Sequence, residues 1–367
     1  MRNIQLRQYD QIFLLFFAAM FIFGFFILAS ASLGISSEKY GEAYYFLLHQ
    51  MLYGLLPGAI LFYFALITPY KYLRNLALPI LLVGIFLMFL VFVPGIGFYH
   101  GGAKRWLSFG VISFQPSELM KFAYIVYLAA WLETRGKELR SFKFGFLPFI
   151  IMSVFIASFL VFQPDIGTLG VLMISVFALF FYSGGPIRQL AIFAGIGLAA
   201  FIGLILIEPY RLERVSTFWN SSADPAGAGY QINQALIAVG SGGLWGRGFG
   251  LSRQKFSYLP EPVGDSIFAI LSEELGFIGA IILLMLFLFF FIRGIKITEK
   301  APDAFGRLLG AGLLFLIIFQ ALINIAAIIG LIPLTGIPLP FVSYGGSAIM
   351  MTLMEVGIIL NISKTKS

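Results

Sequence analysis

The stretch Tyr258-Leu259-Pro260-Glu261-Pro262-Val263-Gly264-Asp265-Ser266-Ile267-Phe268-Ala269-Ile270-Leu271-Ser272-Glu273-Glu274-Leu275-Gly276-Phe277 decides the fold. Its first part is loop, punctuated by Pro260, Pro262 and Gly264. The rest opens an apolar run that continues to about residue 292. That exceeds the ~20 residues a bilayer-spanning helix needs. Asp265 stands at the junction, so a membrane span that starts there sets the carboxylate at the water edge. A base would have to sit there to act on a substrate with a lipid tail.

The rest of the chain agrees. Hydrophobic residues make up 60% of its 367 positions and charged residues only 11%, against ~25% charged in a soluble domain. Mean hydropathy is +0.95. Apolar runs nearly end to end predict a single all-α polytopic unit over residues 1–367. About ten transmembrane helices are expected, near 12–30, 46–67, 76–93, 119–133, 145–162, 166–182, 189–207, 265–292, 308–330 and 342–362. Ala29-Ser30-Ala31 has the small-residue pattern of a signal-peptidase site. The apolar stretch before it is longer than the usual ~7–15-residue signal core, which predicts a retained anchor. With no cysteine, disulfides and Cys-based metal or redox sites are excluded.

Lysine and arginine set the orientation. With the N-terminus inside, most of the 24 basic residues fall in short inner segments, among them Lys71, Arg74, Arg135, Arg293 and Arg307. Lys121 falls within the fourth span. The longer outer loops hold Lys39, Lys104, Arg105, Arg211, Arg214, Arg247, Arg253 and Lys255. N-in and C-in follows. The net charge of +7 is thus a topology signal, and no nucleic-acid partner is expected.

Seven of the outer cations lie in two loops. Lys104 and Arg105 follow span 3. Arg211, Arg214, Arg247, Arg253 and Lys255 belong to a long extracytoplasmic loop, about 208–264, before helix 8. A loop longer than ~12–15 residues is usually functional or disordered, and the aromatics Trp219, Tyr230, Trp245 and Phe256 argue for a folded one. Ile232, Ala235, Leu236 and Val239 repeat with helical spacing, which predicts a short amphipathic helix on the membrane surface. Then Gly240-Ser241-Gly242-Gly243-Leu244-Trp245-Gly246-Arg247-Gly248-Phe249-Gly250 can be read two ways. Its backbone N–H groups and Arg247 fit an anion-binding nest; equally, it fits a hinge with solvated arginines.

Other polar residues mark the spans. Pro116 suits a helix start, with Glu118 in the first turn and Lys121 three residues on, spaced for an ion pair. Gln163-Pro164-Asp165 reads as a tight outer turn. Gln320 and Asn324 share a helix face, where interhelical hydrogen bonding is the default. Glu355 lies deep in span 10, and the sequence offers it no partner. Gly336-Ile337-Pro338-Leu339-Pro340-Phe341-Val342-Ser343-Tyr344-Gly345-Gly346-Ser347 marks a broken, close-packed entry to that span.

Taken together, these segments resemble the SEDS family (shape, elongation, division, sporulation) of polytopic peptidoglycan polymerases. The resemblance rests on Gly102-Ala103-Lys104-Arg105-Trp106, Phe114-Gln115-Pro116-Ser117-Glu118, Gln163-Pro164-Asp165-Ile166-Gly167-Thr168, Gly229-Tyr230-Gln231, Leu259-Pro260-Glu261, Glu273-Glu274-Leu275-Gly276 and Pro338 through Ser347. They occur in the family's order across nearly the whole chain. Ser252-Arg253-Gln254-Lys255-Phe256 is similar to the division branch, FtsW, more than to the elongation branch, RodA.

The resemblance implies joining of lipid II into glycan strands at the outer face of the bacterial cytoplasmic membrane, here at the division septum. It implies an essential Asp at the start of span 8, which is Asp265. It also implies a class B penicillin-binding protein as transpeptidase partner, alongside other division proteins and membrane lipids. One departure stands out: the family's His-Thr before this Asp is Val263-Gly264 here, and Ser266 follows where Phe is common.

The expected chemistry is proton abstraction from the acceptor hydroxyl by Asp265. Lys104, Arg105, Arg211, Arg214, Arg247, Arg253 and Lys255 are the candidates to stabilise the leaving pyrophosphate. Glu118, Lys121 and Ser343 are further substrate-site candidates. The sequence assures no cofactor; a divalent cation is compatible with the chemistry, though no cluster has protein-ligand spacing for one. Two other classes stay open, a lipid II flippase and a non-enzymatic division scaffold. A flippase of the repeat-built kind would show internal repeats, which this sequence lacks, and a scaffold needs neither Asp265 nor outer cations.

Overall fold

The computed structural model describes residues 9–100, 103–109, 112–136, 138–207, 212, 216–219, 227–256 and 258–364. Arg211 and Arg214 lie outside the described residues.

The chain is a helical bundle. The helices are α1 (Gln11–Tyr40), α2 (Tyr45–Ile67), α3 (Tyr72–Leu90), α4 (Pro116–Arg135), α5 (Phe142–Phe162), α6 (Ile166–Tyr182), α7 (Ile187–Ile207), α8 (Ala228–Ser241), α9 (Ile267–Glu299), α10 (Ala304–Ile328) and α11 (Gly346–Ser363). Eight are long and apolar enough to cross a bilayer, and α6 is a shorter apolar helix. With α4, whose polar first turn is buried in the bundle, they correspond to the ten expected spans.

Three local features differ from the sequence reading. First, α1 does not end at residue 30 but runs to Gly41, which caps it in the left-handed conformation (φ 70°). Its extra turns carry Ser30, Ser32 and Ser36, all buried against protein. Second, the segment after α3 is an antiparallel meander, β1 (Gly97–His100), β2 (Ala103–Phe109) and β3 (Ile112–Phe114), in a chain otherwise read as all-α. Third, α9 is two helices. Gly276 breaks it with φ 66° and ψ −165°, a conformation open to glycine and costly to other residues. A buried half-helix, Ile267 to Leu275, therefore precedes the lipid-facing part.

The inner ends of α1 and α9 are tied together. Asp10 caps α1 by accepting from Phe13 N at 2.9 Å and pairs with Arg293 at 2.7 Å. α4, α10 and α11 form the buried centre. Around them, α3, α5 and α7 present exposed Leu82, Phe86, Phe89, Ile151, Phe155, Leu198 and Phe201. In water such a surface would be an aggregation site; in a bilayer it is the solvated face.

Candidate active site

Asp265 sits two residues before α9, at the N-terminal mouth of the buried half-helix. The loop that delivers it is held from three sides. Ser343 Oγ donates to the Gly264 carbonyl at 2.7 Å while accepting from Leu339 N at 2.8 Å. Tyr344 N donates to Val263 O at 2.8 Å. Asn324 Nδ2 donates to the Asp265 carbonyl and to Ile337 O, both at 2.8 Å. The backbone is thus fixed while the carboxylate is lightly engaged. Oδ1 accepts from Gln231 Nε2 at 3.4 Å and from Ser266 Oγ at 3.5 Å, both long contacts. Gly336 faces Oδ2, and a Cβ there would stand 4.0 Å away, so that side has room.

Among the described residues no cation pairs with Asp265. Burial pushes its pKa up, the nearby Glu261 pushes it further, and hydrogen bonds pull it back only in part; the result is about 6. The dipole of the half-helix favours the anion, but desolvation dominates. The shift runs toward neutrality, the direction that a general base needs.

The other end of the same half-helix is built in the opposite way. Glu274 forms a fully buried ion pair with Lys255 Nζ at 2.8 Å. Ser30 Oγ, from α1, donates to Glu274 at 2.7 Å and accepts from Lys255 Nζ at 3.0 Å. Lys255 Nζ also reaches Gly250 O at 2.7 Å. Glu273 accepts from Ser252 Oγ, from Arg253 N and Gln254 N at 3.2 Å each, and pairs with Arg247 Nε at 3.4 Å. The Gly-rich run wraps this end. Arg247 N and Gly248 N donate to the carbonyls of Glu273 and Glu274 at 2.9 and 3.0 Å, and Phe277 N donates to Gly243 O at 2.9 Å. Gly246 (φ 80°) packs so closely on Glu274 that a Cβ would strike its carbonyl.

A family model for the cell cycle proteins FtsW, RodA and SpoVE matches residues 10–367. The chain belongs to the FtsW/RodA/SpoVE family. It is 42% identical over 343 residues to stage V sporulation protein E of Bacillus subtilis (strain 168), covering 93% of each chain. It is 39% identical to a probable peptidoglycan glycosyltransferase FtsW of Geobacter sp. (strain M18), covering 99% of this chain and 98% of that one. Its fold is similar to a chain of a solved peptidoglycan synthase complex described as coordinating polymerization and crosslinking, with TM-score 0.78, 26% identity and 97% of each chain covered. It is likewise similar to the rod shape determining protein RodA of Thermus thermophilus, with TM-score 0.72, 26% identity and 98% of each chain covered.

Within this FtsW/RodA/SpoVE fold the candidate residues separate into groups. Ser343 touches the Gly264 backbone and so positions Asp265. Lys255 is not at the outer surface; its ammonium is consumed by Glu274. Arg105 is half-buried, with Nε donating to Gln163 O at 3.2 Å and Nη2 to Pro164 O, so it clamps the outer turn between α5 and α6. Asp165 in that turn caps α6 through Thr168 N (3.2 Å) and accepts from Ser117 Oγ (3.2 Å) and Gln115 Nε2 (3.3 Å) of the α4 start. Glu118 and Lys121 form the expected pair, at 2.9 Å and buried, and Lys121 Nζ reaches Gln320 Oε1 at 2.6 Å. Glu355 lies within electrostatic reach of both. Lys104 and Arg253 are exposed, and Arg247 is 35% exposed beside Glu273.

The Gly-rich run thus acts as a clamp on the half-helix: two of its N–H groups, those of Arg247 and Gly248, are spent on the carbonyls of Glu273 and Glu274. Helix α8 does not lie on the membrane by the face the periodicity suggested. Ile232, Ala235 and Ala238 are buried, α8 packs on α9, and Leu236 is exposed. This docking delivers Gln231 to Asp265, a role its place among the polar residues of the loop helix did not reveal. Among the described residues no three His, Asp or Glu side chains come together to hold a metal ion.

Proposed function

We propose that this chain is a peptidoglycan glycosyltransferase that polymerises lipid II into glycan strands at the outer membrane face during cell division. The observation that carries the reading is the Asp265 carboxyl at the outer mouth of the half-helix, its backbone held by Ser343, Tyr344 and Asn324 and the carboxyl free of any cation among the described residues, with burial pushing its pKa up. In the reaction the acceptor sugar hydroxyl gives its proton to Asp265. Its oxygen lone pair forms the new bond to the donor's anomeric carbon as the bond to the lipid pyrophosphate breaks. The electron pair leaves with the pyrophosphate. Lys104, Arg247 and Arg253, the exposed cations among the described residues of the outer loops, are our candidates to meet that charge, with Arg211 and Arg214 as further candidates. A divalent ion used by the reaction would be held chiefly by the pyrophosphate oxygens. The working partner is a class B penicillin-binding protein, in keeping with the similarity to a synthase-complex chain.

The test uses purified chain with its cognate transpeptidase and labelled lipid II. Asp265→Asn should leave insertion intact, keep or raise the melting temperature at neutral pH, and cut strand formation by about 10²-fold or more. Equal strand ladders from both proteins would remove Asp265 from the chemistry. A second reading, lipid II transport, draws on the buried Glu118–Lys121 pair with Glu355 nearby, since ionisable groups inside a membrane protein often mark a transport path. It would gain from lipid II crossing protein-bearing liposomes with no strands formed.

A further inference from the structure

Beside the Asp265 loop lies a group of aromatic rings that the reading above leaves unused. It joins the end of α1, the start of α2 and Tyr344. Tyr40 stacks on Tyr45 at 3.7 Å between centroids. His49 lies 4.5 Å from Tyr53 and 5.9 Å from both Tyr45 and Tyr344. Phe46 meets Tyr344 edge-on at 5.1 Å. We propose that Tyr45, His49, Tyr53 and Tyr344 form a sugar-stacking subsite that holds an N-acetylated aminosugar ring of the strand next to Asp265, an inference that rests on the glycosyltransferase reading.

Position is the first argument. Tyr344 N donates to Val263 O at 2.8 Å, and two residues of chain from Val263 to Asp265 span at most ~7 Å. The same segment carries Ser343, which holds Gly264. The platform and the base are thus built on one set of backbone contacts.

Rigidity is the second. The Tyr344 hydroxyl is hydrogen-bonded to His49 Nδ1 at 2.8 Å, and Gln50 Oε1 accepts from Gly345 N at 3.0 Å. With its backbone, its hydroxyl and one ring edge all engaged, Tyr344 is pre-organised. Fixed rings bind without a large ordering cost.

Chemistry is the third. Along their middle, the exposed surfaces of α3 and α5 are Phe, Leu, Ile and Val. Here the rings are mostly Tyr and His, with electron-rich faces and polar edges. A pyranose has the complementary shape, a face of C–H bonds rimmed by hydroxyl and acetamido groups. Tyr40 and Tyr44 at the margin are 48% and 49% exposed. An interfacial aromatic belt accounts for tyrosines at headgroup depth. It does not account for a histidine bonded to a tyrosine that is itself tied to the backbone before Asp265.

The probe is N-acetylchitotetraose, a soluble β-linked aminosugar oligomer, with the full chain in nanodiscs. Saturation-transfer NMR should label its ring C–H protons in the native chain and in Asp265→Asn. The double variant Tyr45→Leu/Tyr53→Leu should bind about tenfold more weakly and, with lipid II and the transpeptidase, make shorter strands at unchanged melting temperature. His49→Ala serves as a second variant that releases the Tyr344 hydroxyl, with the same direction expected. Native-like oligomer binding and strand length in both variants would overturn the subsite. So would quenching of these tyrosines by brominated lipids without oligomer binding, the signature of a belt. If the native chain makes no strands, the glycosyltransferase reading fails, and oligomer binding alone then decides the subsite.

Discussion

The two ends of the half-helix before Gly276 carry carboxylates in opposite circumstances. At its mouth, Asp265 has two long hydrogen bonds and no cation among the described residues. At its far end, Glu274 has an ammonium at 2.8 Å and a hydroxyl at 2.7 Å. Glu273 takes a hydroxyl and two backbone N–H groups besides Arg247. A buried charge with every lone pair answered is part of the frame. A carboxyl left under-answered is free for chemistry, which is the role proposed for Asp265, with its pKa raised by burial. The nine-residue half-helix Ile267–Leu275 separates the clamp from the mouth where Asp265, the proposed base, stands.

The sharpest way to break this contrast is to remove the cation at the clamp. Lys255→Met leaves Glu274 charged, buried and unpaired, which typically costs about 3–5 kcal/mol. A large fall in melting temperature is expected, measured by thermal unfolding in detergent. Lys255→Met/Glu274→Gln should recover most of it, because the orphaned charge is gone. Asp265→Asn should show the inverse pattern, activity lost and stability kept or raised at neutral pH, because the buried carboxylate no longer has to ionise. If Lys255→Met melts like the native chain, the clamp is not a clamp.

This contrast was only half legible in the sequence. Asp265 could be placed because a long apolar run follows a polar loop, and the Glu118–Lys121 pair because three residues on a helix bring side chains together. Lys255 could not. In Ser252-Arg253-Gln254-Lys255-Phe256 it looks solvated, and its partners are 19 residues away at Glu274 and 225 away at Ser30. Ser30 itself resembled part of a cleavage site. Gly276 gave no warning either, since glycine is common inside membrane helices and only the packing of Gly246 and Leu244 shows the break. The meander at 97–114 was no more accessible. Lys104-Arg105-Trp106-Leu107-Ser108-Phe109 lacks the strict apolar/polar alternation that signals a strand, and only the backbone pairing shows it.

The contrast also has a pH signature. Asp265 titrates near 6 in the folded chain against an ordinary value of 3.8. Between those values the folded chain holds a proton that the unfolded chain has released. Stability must then fall as pH rises through that window and stay at its lowered level above it. Melting temperatures of the native chain should carry this slope relative to Asp265→Asn, which lacks the group. Polymerisation rate should rise across the same window as the base form appears. A rate that falls between pH 5 and 7 would assign Asp265 to the acid role instead.

The finest adjustment is at Gln231. Its amide donates to Asp265 Oδ1 at 3.4 Å and to Ser266 Oγ at 3.1 Å, and a donor to a carboxylate favours the charged form. Gln231→Leu should therefore move the acid limb of the rate profile upward. The contact is long and its share of the shift small, so the displacement should be a fraction of a pH unit. Activity near pH 6 should drop about two- to threefold, while the plateau at pH 8 stays within error, consistent with a hydrogen bond worth ~0.5–1.5 kcal/mol. A loss that is equal at both pH values would mean that Gln231 sets the geometry of α8 against α9 rather than the charge on Asp265. A limb displaced downward would mean that the amide presents its oxygen to the carboxyl, and that the resting base at the mouth of the half-helix is protonated.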